Sequence, residues 1–136
     1  MVALTRGRMR LAVPVWTGRV SPVFDVARTL LIVEVIGGEA TFTEEHSVEG
    51  RDRVSVLSQL GVDVLLCAAV SKELEERLLA AGVELVMEVR GEVDDVLRAY
   101  LDGSLAQPRF SMPGCHSRRR IPRRPRLADA LATVGR

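Results

Sequence analysis

The sequence predicts a mixed α/β fold, a five-stranded sheet with helices on both faces, and three observations carry that prediction. The β-branched run of residues 29–36 (TLLIVEVI) is followed by Gly37-Gly38 and a second strand-like stretch, an antiparallel hairpin early in the chain. Helix-periodic and strand-like segments then alternate, as right-handed crossovers between parallel strands require. Residues 62–69 (VDVLLCAA) form a nearly continuous apolar run, the pattern of a strand covered on both faces.

Taken in order, residues 9–15 (MRLAVPV) read as a buried strand, because Leu11, Val13 and Val15 alternate within a short apolar run. Pro14 marks a strand end or an irregular edge. Residues 1–8 carry no pattern and read as a frayed extension, with Met9 an alternative start. Residues 16–27 contain Gly18, Ser21 and Pro22 and no helical period, so they are read as a loop. The strands 29–36 and 39–47 follow as the hairpin. Val54, Leu57 and Leu60 lie at helical spacing over 51–60, and Gly61 stops that helix. After the strand 62–69, Ser71 caps a helix whose face is Leu74, Leu78 and Leu79, with early acids suited to the helix dipole and Gly82 at its end. Residues 83–89 form the last strand. Val93, Val96, Leu97, Tyr100 and Leu101 face one side of a helix over 92–102, ended by Gly103. From Ser104 the patterning fades, and Pro108, Pro113, Pro122 and Pro125 discourage long elements, leaving room for one short helix over 127–134. The expected organisation is an α/β domain over 9–107 and a basic, Pro/Arg-rich tail over 108–136. With the first strand central, the hairpin lies on one side and the parallel strands on the other. A crevice then opens at the carboxyl ends of strands 9–15 and 62–69, lined by the loop 16–27 and the turn 67–71.

With 136 residues, 47% of them hydrophobic, the chain can bury one core and not two. No stretch reaches the roughly 18 to 20 apolar residues of a membrane span, and the N-terminal region lacks the apolar core of a secretory signal, so the expected compartment is the cytoplasm. Two cysteines, Cys67 and Cys115, are too few for a disulfide framework. The net charge of +1 conceals an asymmetry. Residues 1–109 hold 12 Arg or Lys against 17 Asp or Glu, a balance of −5, whereas residues 110–136 hold seven Arg against one Asp, a balance of +6. An acidic body thus carries a basic tail able to attract an anionic cofactor, an acidic partner, nucleic acid or the body itself. The scarcity of aromatic residues argues against stacking on single-stranded nucleic acid.

The segment Phe110-Ser-Met-Pro-Gly-Cys-His116, followed by Arg118, Arg119 and Arg120, places a thiol and an imidazole beside concentrated positive charge. Pro113 and Gly114 break helix and strand, so Cys115 falls on a loop, where neighbouring arginines favour its thiolate. Its two readings are a metal ligand and an exposed thiol, and His116 is a ligand only if the backbone holds it beside Cys115. Cys67, at the end of the most buried strand, is a packing residue or a thiol facing the crevice. Ser21 and Ser71 offer hydrogen bonds to an anion there or ordinary caps. His46, among Glu44, Glu45 and Glu49, reads as a solvated residue.

Four segments in order, residues 9–15, Ser21-Pro-Val-Phe-Asp-Val-Ala-Arg28, Val64-Leu-Leu-Cys-Ala-Ala-Val-Ser71 and Phe110-Ser-Met-Pro-Gly-Cys115, together resemble the dinitrogenase iron-molybdenum cofactor biosynthesis family over roughly residues 9–115. The resemblance implies a ribonuclease H-like fold that binds an iron-sulfur or iron-molybdenum type cluster, or a precursor, and passes it on. Many members have a histidine followed by Phe-Gly in the loop after the first strand, regarded as a cluster contact. Here Pro22-Val23-Phe24-Asp25 occupies that stretch, so Val23 stands where relatives have histidine and the contact is absent. Cys115 and Cys67 are the natural substitutes, since thiolates hold iron-sulfur clusters.

The leading expectation is therefore a non-enzymatic metallocluster carrier, with cluster contacts from Ser21, Ser71, Arg118, Arg119 and Arg120. Its partners would be donor or acceptor assembly proteins, and a homodimer could share ligands across its interface. The alternative is a regulatory or interaction module of the same fold that has lost cluster binding. The first strand carries no acid for a two-metal nuclease centre, and the chain shows neither a nucleophile-base pairing nor a phosphate-cradling loop, which places enzymes behind both readings.

Overall fold

The computed structural model describes residues 8–105 and the backbone of 118–120, with the side chain of Arg120. Its central strand is β1 (Arg8–Trp16), whose alternation sends Leu11 and Val13 to one face of the sheet and Ala12 to the other, all fully buried. The strand continues through Pro14, where an end or an irregular edge was expected. Residues of one strand point their N–H and C=O to the same side, and the Pro14 carbonyl accepts from the Ser21 N–H at 2.8 Å, so the missing N–H costs β1 no bond to its neighbour on the other side.

The expected loop contains two short elements. Thr17 and Gly18, with φ of 49° and 79°, form a two-residue turn that folds β2 (Arg19–Val20) back onto the end of β1. A single 3-10 turn (Phe24–Val26) follows and buries Phe24 completely. Next come β3 (Thr29–Ile36) and β4 (Glu39–Ser47), joined at Gly37 and Gly38, whose φ values of 64° and 84° suit the tight hairpin that the dipeptide predicts.

Helix α1 (Arg53–Gln59) is shorter than the periodicity suggests, because Asp52 is its N-cap and accepts from the Ser55 N–H at 3.1 Å. β5 (Val64–Leu66), α2 (Lys72–Ala80), β6 (Glu84–Met87) and α3 (Val93–Asp102) complete the alternation, and Gly103 closes α3 at φ 85°. β5 pairs in parallel with β1 and β6, as right-handed crossovers require. α1 and α2 cover one face through Val56, Leu57, Leu74 and Leu78, and α3 covers the other through Val93, Val96, Leu97 and Ala99.

The strand order is β4-β3-β1-β5-β6-β7, where β7 (Arg118–Arg120) runs antiparallel to β6 and β2 hangs from the end of β1. The sheet is therefore mixed and six strands wide, and the expected five-stranded count is corrected by β7 as well as by the short β2. Three arginines carry no apolar alternation. They form a strand because β6 presents a row of main-chain donors and acceptors that β7 satisfies. Part of the expected tail is thus sheet. The helix expected over 127–134 lies outside the described residues. Among the described residues, no helix is long and apolar enough to cross a membrane.

Candidate functional site

The gap expected between the carboxyl ends of β1 and β5 is closed by the chain itself. The Phe24 N–H donates to the Ala69 carbonyl at 2.8 Å, the Ala69 N–H donates to the Pro22 carbonyl at 3.0 Å, and Val23 pairs with Ala69 as an isolated parallel bridge. Asp25 extends the seam, its Oδ1 accepting from the Ser71 N–H at 2.8 Å, while the Ser71 hydroxyl accepts from the Leu74 N–H at 3.2 Å. On the other side of β2, the Val20 N–H reaches the Gly91 carbonyl at 3.0 Å, and Arg19 pairs with Glu92 at 3.6 Å. At the end of β6, Glu88 is held at φ 65°, a strained conformation for a side-chain-bearing residue.

This seam leaves an opening on the opposite side of β1. A cleft of about 560 Å³ lies between the end of β1, the loop and the start of β3, walled by Trp16, Pro22 and Val26 with Ser21, Arg28 and Thr29 at its polar edge. Trp16 is 66% exposed and Val26 71%, although both are large and apolar. Apolar groups gathered at one concave spot mark a surface meant to be covered, and the volume is that of a small-ligand site. Ser21 is buried at the cleft and Arg28 is its cation. The Arg28 pair with Glu49, 3.5 Å apart and exposed on both sides, leaves the guanidinium free to exchange partners. Arg53 ties the wall down from α1 by donating to the Ala27 carbonyl.

The other predicted site residues are distributed differently. Cys67 is fully buried, and desolvation, with smaller contributions from the Glu75 and Asp25 carboxylates, pushes its thiol up to about 12. It packs with Phe24 and Leu74 beneath the loop. Ser71 spends its hydroxyl and its N–H on the cap and the seam. Arg120 forms ion pairs with Glu75 and, at 3.2 Å, with Glu76, so its charge answers α2. Arg118 and Arg119 lie in β7. Cys115 and His116 lie outside the described residues. His46 sits 3.1 Å from Glu44. Among the described residues, no three His, Cys, Asp or Glu side chains are grouped closely enough to hold a metal ion. Reading the sequence missed Trp16, Val26 and Arg28 as a set, and Asp25 as the clasp. The available signal was Trp16 and Val26, two large apolar residues in a stretch without helical period.

A family model described as dinitrogenase iron-molybdenum cofactor matches residues 7–103, most of the chain. The chain belongs to the dinitrogenase iron-molybdenum cofactor family. Within solved structures, it is similar to a candidate NifB protein from Thermotoga, at 25% identity over 71% of this chain and 90% of that one, with a TM-score of 0.58. The apo form of the orange protein from Desulfovibrio gigas shares the fold at 22% identity, covering 81% of this chain and 97% of that one with a TM-score of 0.61. A candidate dinitrogenase from Methanocaldococcus jannaschii does so at 19% identity, 71% and 91% coverage and a TM-score of 0.63. No curated protein matches the sequence. The family domain coincides with the body of the sheet and includes both the cleft and the seam.

Proposed function

We propose that this member of the dinitrogenase iron-molybdenum cofactor family receives, holds and hands on a metallocluster of the iron-sulfur or iron-molybdenum type, or a precursor, without catalysing a reaction on it. The observation that carries the reading is the open, apolar-walled cleft at the carboxyl end of β1 within the family domain. Trp16 and Val26 would exclude water from one side of the cargo, and the Arg28 guanidinium would offset negative charge on the other. The thiolate of Cys115 and the imidazole of His116 would add exchangeable ligands. Arg118 pairs with Met87, so the chain joins β7 at the carboxyl end of β6, the same end of the sheet as the cleft. Arg118 and Arg119 would strengthen the positive field there, and Ser21 would offer a hydroxyl. Few protein ligands mean a loosely held cargo, as transfer to an assembly partner demands. In this reading Cys67 and Ser71 support the seat from beneath. The hairpin on one side of a central β1, with parallel strands on the other, supports the ribonuclease H-like description.

The test is anaerobic reconstitution with iron and sulfide, with and without molybdate, followed by metal analysis and visible absorption. The wild type is expected to gain absorbance, with Cys115→Ala losing most of it and Trp16→Ala and Arg28→Ala lowering metal occupancy while leaving circular dichroism unchanged. A well-folded wild type that gains no colour overturns the reading. Val23, standing where relatives have histidine, favours a second reading, an interaction module of this fold that no longer holds a cluster. The same null result, joined to capture of an assembly protein dependent on Trp16 and Val26, would establish it.

A further inference from the structure

The two outer edges of the sheet carry opposite charge. At one end β4 (EATFTEEHS) is exposed along nearly its whole length and has Glu39, Glu44 and Glu45 with no Arg or Lys; Glu49 follows shortly after. At the other end β7 consists of Arg118, Arg119 and Arg120. Among the described residues, nothing pairs with the outer edge of either strand. An open nine-residue edge is a template for another strand.

We propose that copies of this chain associate head to tail, the acidic β4 edge of one adding to the basic β7 edge of the next and continuing the sheet. Strand direction agrees with this. β4 runs parallel to β1 through two antiparallel pairings, and β7 runs opposite to β1 through β5 and β6, so two copies held in one orientation bring β4 and β7 together as an antiparallel pair. Charge makes the choice of partner. Pairing β4 with β4 sets glutamate rows against each other, and pairing β7 with β7 sets arginines against arginines. Only β4 with β7 is attractive. The acidic body and basic final segment extend the same complementarity, and a near-zero total charge leaves copies without long-range repulsion. Phe42 and Ile36, 51% and 46% exposed beside the β4 edge, add apolar surface to be covered. Because β7 is three residues long, the contact is short, electrostatic and weak. A heterologous contact of this kind extends into rings or open chains.

The experiment is sedimentation velocity on the full chain over a range of concentrations at low and high salt. The expected result is a mass that rises with concentration at low salt and returns to the monomer at high salt. The double variants E39K/E45K and R118E/R119E are each expected to stay monomeric at low salt, while an equimolar mixture of the two associates again, since the intact edges attract each other and so do the reversed ones. Glu39 and Glu45 are exposed, so E39K/E45K keeps the fold, and added to the wild type it should cap growing assemblies and lower their mass. If R118E/R119E disturbs β7, this capping experiment decides by itself. A wild type that is monomeric at low salt, or assemblies indifferent to both salt and E39K/E45K, overturns the proposal.

Discussion

At the scale of single residues, Cys67 shows how far position governs chemistry. The same thiol that reads as a substitute ligand in the sequence is sealed in the core cluster that contains Phe24 and held in its protonated form, with its pKa pushed from an ordinary 9.0 up to about 12. A folded-state value above the unfolded one means that the native state keeps a proton the unfolded chain releases. Stability from this group is therefore complete below about pH 9 and declines as pH rises toward 12. Urea midpoints should fall across that window, and Cys67→Ala should flatten the decline. Native Cys67 should also resist thiol reagents until the protein is unfolded, and rapid labelling of the folded chain at this position would contradict the burial.

At the scale of elements, the least predictable strand is the one that shapes the sheet's edge. β7 is held by main-chain pairing to β6 and by the Arg120 ion pairs with Glu75 and Glu76. Glu75 is nearly buried, so removing its partner strands a charge out of water, whereas removing both together does not. Arg120→Ala should lower the melting temperature more than Arg120→Ala combined with Glu75→Leu, as differential scanning calorimetry can show. If the double variant were the less stable, the pair would not be what fastens β7. The hairpin turns differ in legibility for a related reason. Gly37-Gly38 announces its turn, while Thr17-Gly18 makes the same kind of turn with a β-branched residue at φ 49° and passes for loop.

For the whole molecule, one sheet shared by two apolar layers predicts a single cooperative unfolding transition. Ending the chain after Leu105 removes β7, opens the β6 edge and leaves Glu75 unpaired, while both apolar layers remain. That shortened chain should still fold, melt several degrees lower and aggregate more readily, measured by calorimetry and light scattering. An unchanged melting temperature would show that β7 contributes nothing to the body. The cleft also belongs to this scale, since its walls come from the end of β1, the loop and the start of β3, which meet only when β1 and β3 pair from Arg8 with Ile36 to Val15 with Thr29.

The sequence by itself determined the three helices, the strands β1, β3, β4, β5 and β6 and their placement around β1, because side-chain period and glycine punctuation are local signals written where they act. The Val62, Val64, Leu65 and Leu66 run identified the doubly covered strand, and Ser71 identified the cap of α2. Only the tertiary structure decided which side of β1 stays open, that Asp25 clasps Ser71, that Cys67 is sealed and that three arginines become a strand. Those outcomes rest on contacts between segments far apart in the chain, most of them made through main-chain N–H and C=O groups. Every residue type except proline offers the same N–H and C=O, so such bonds leave no mark in the order of side chains.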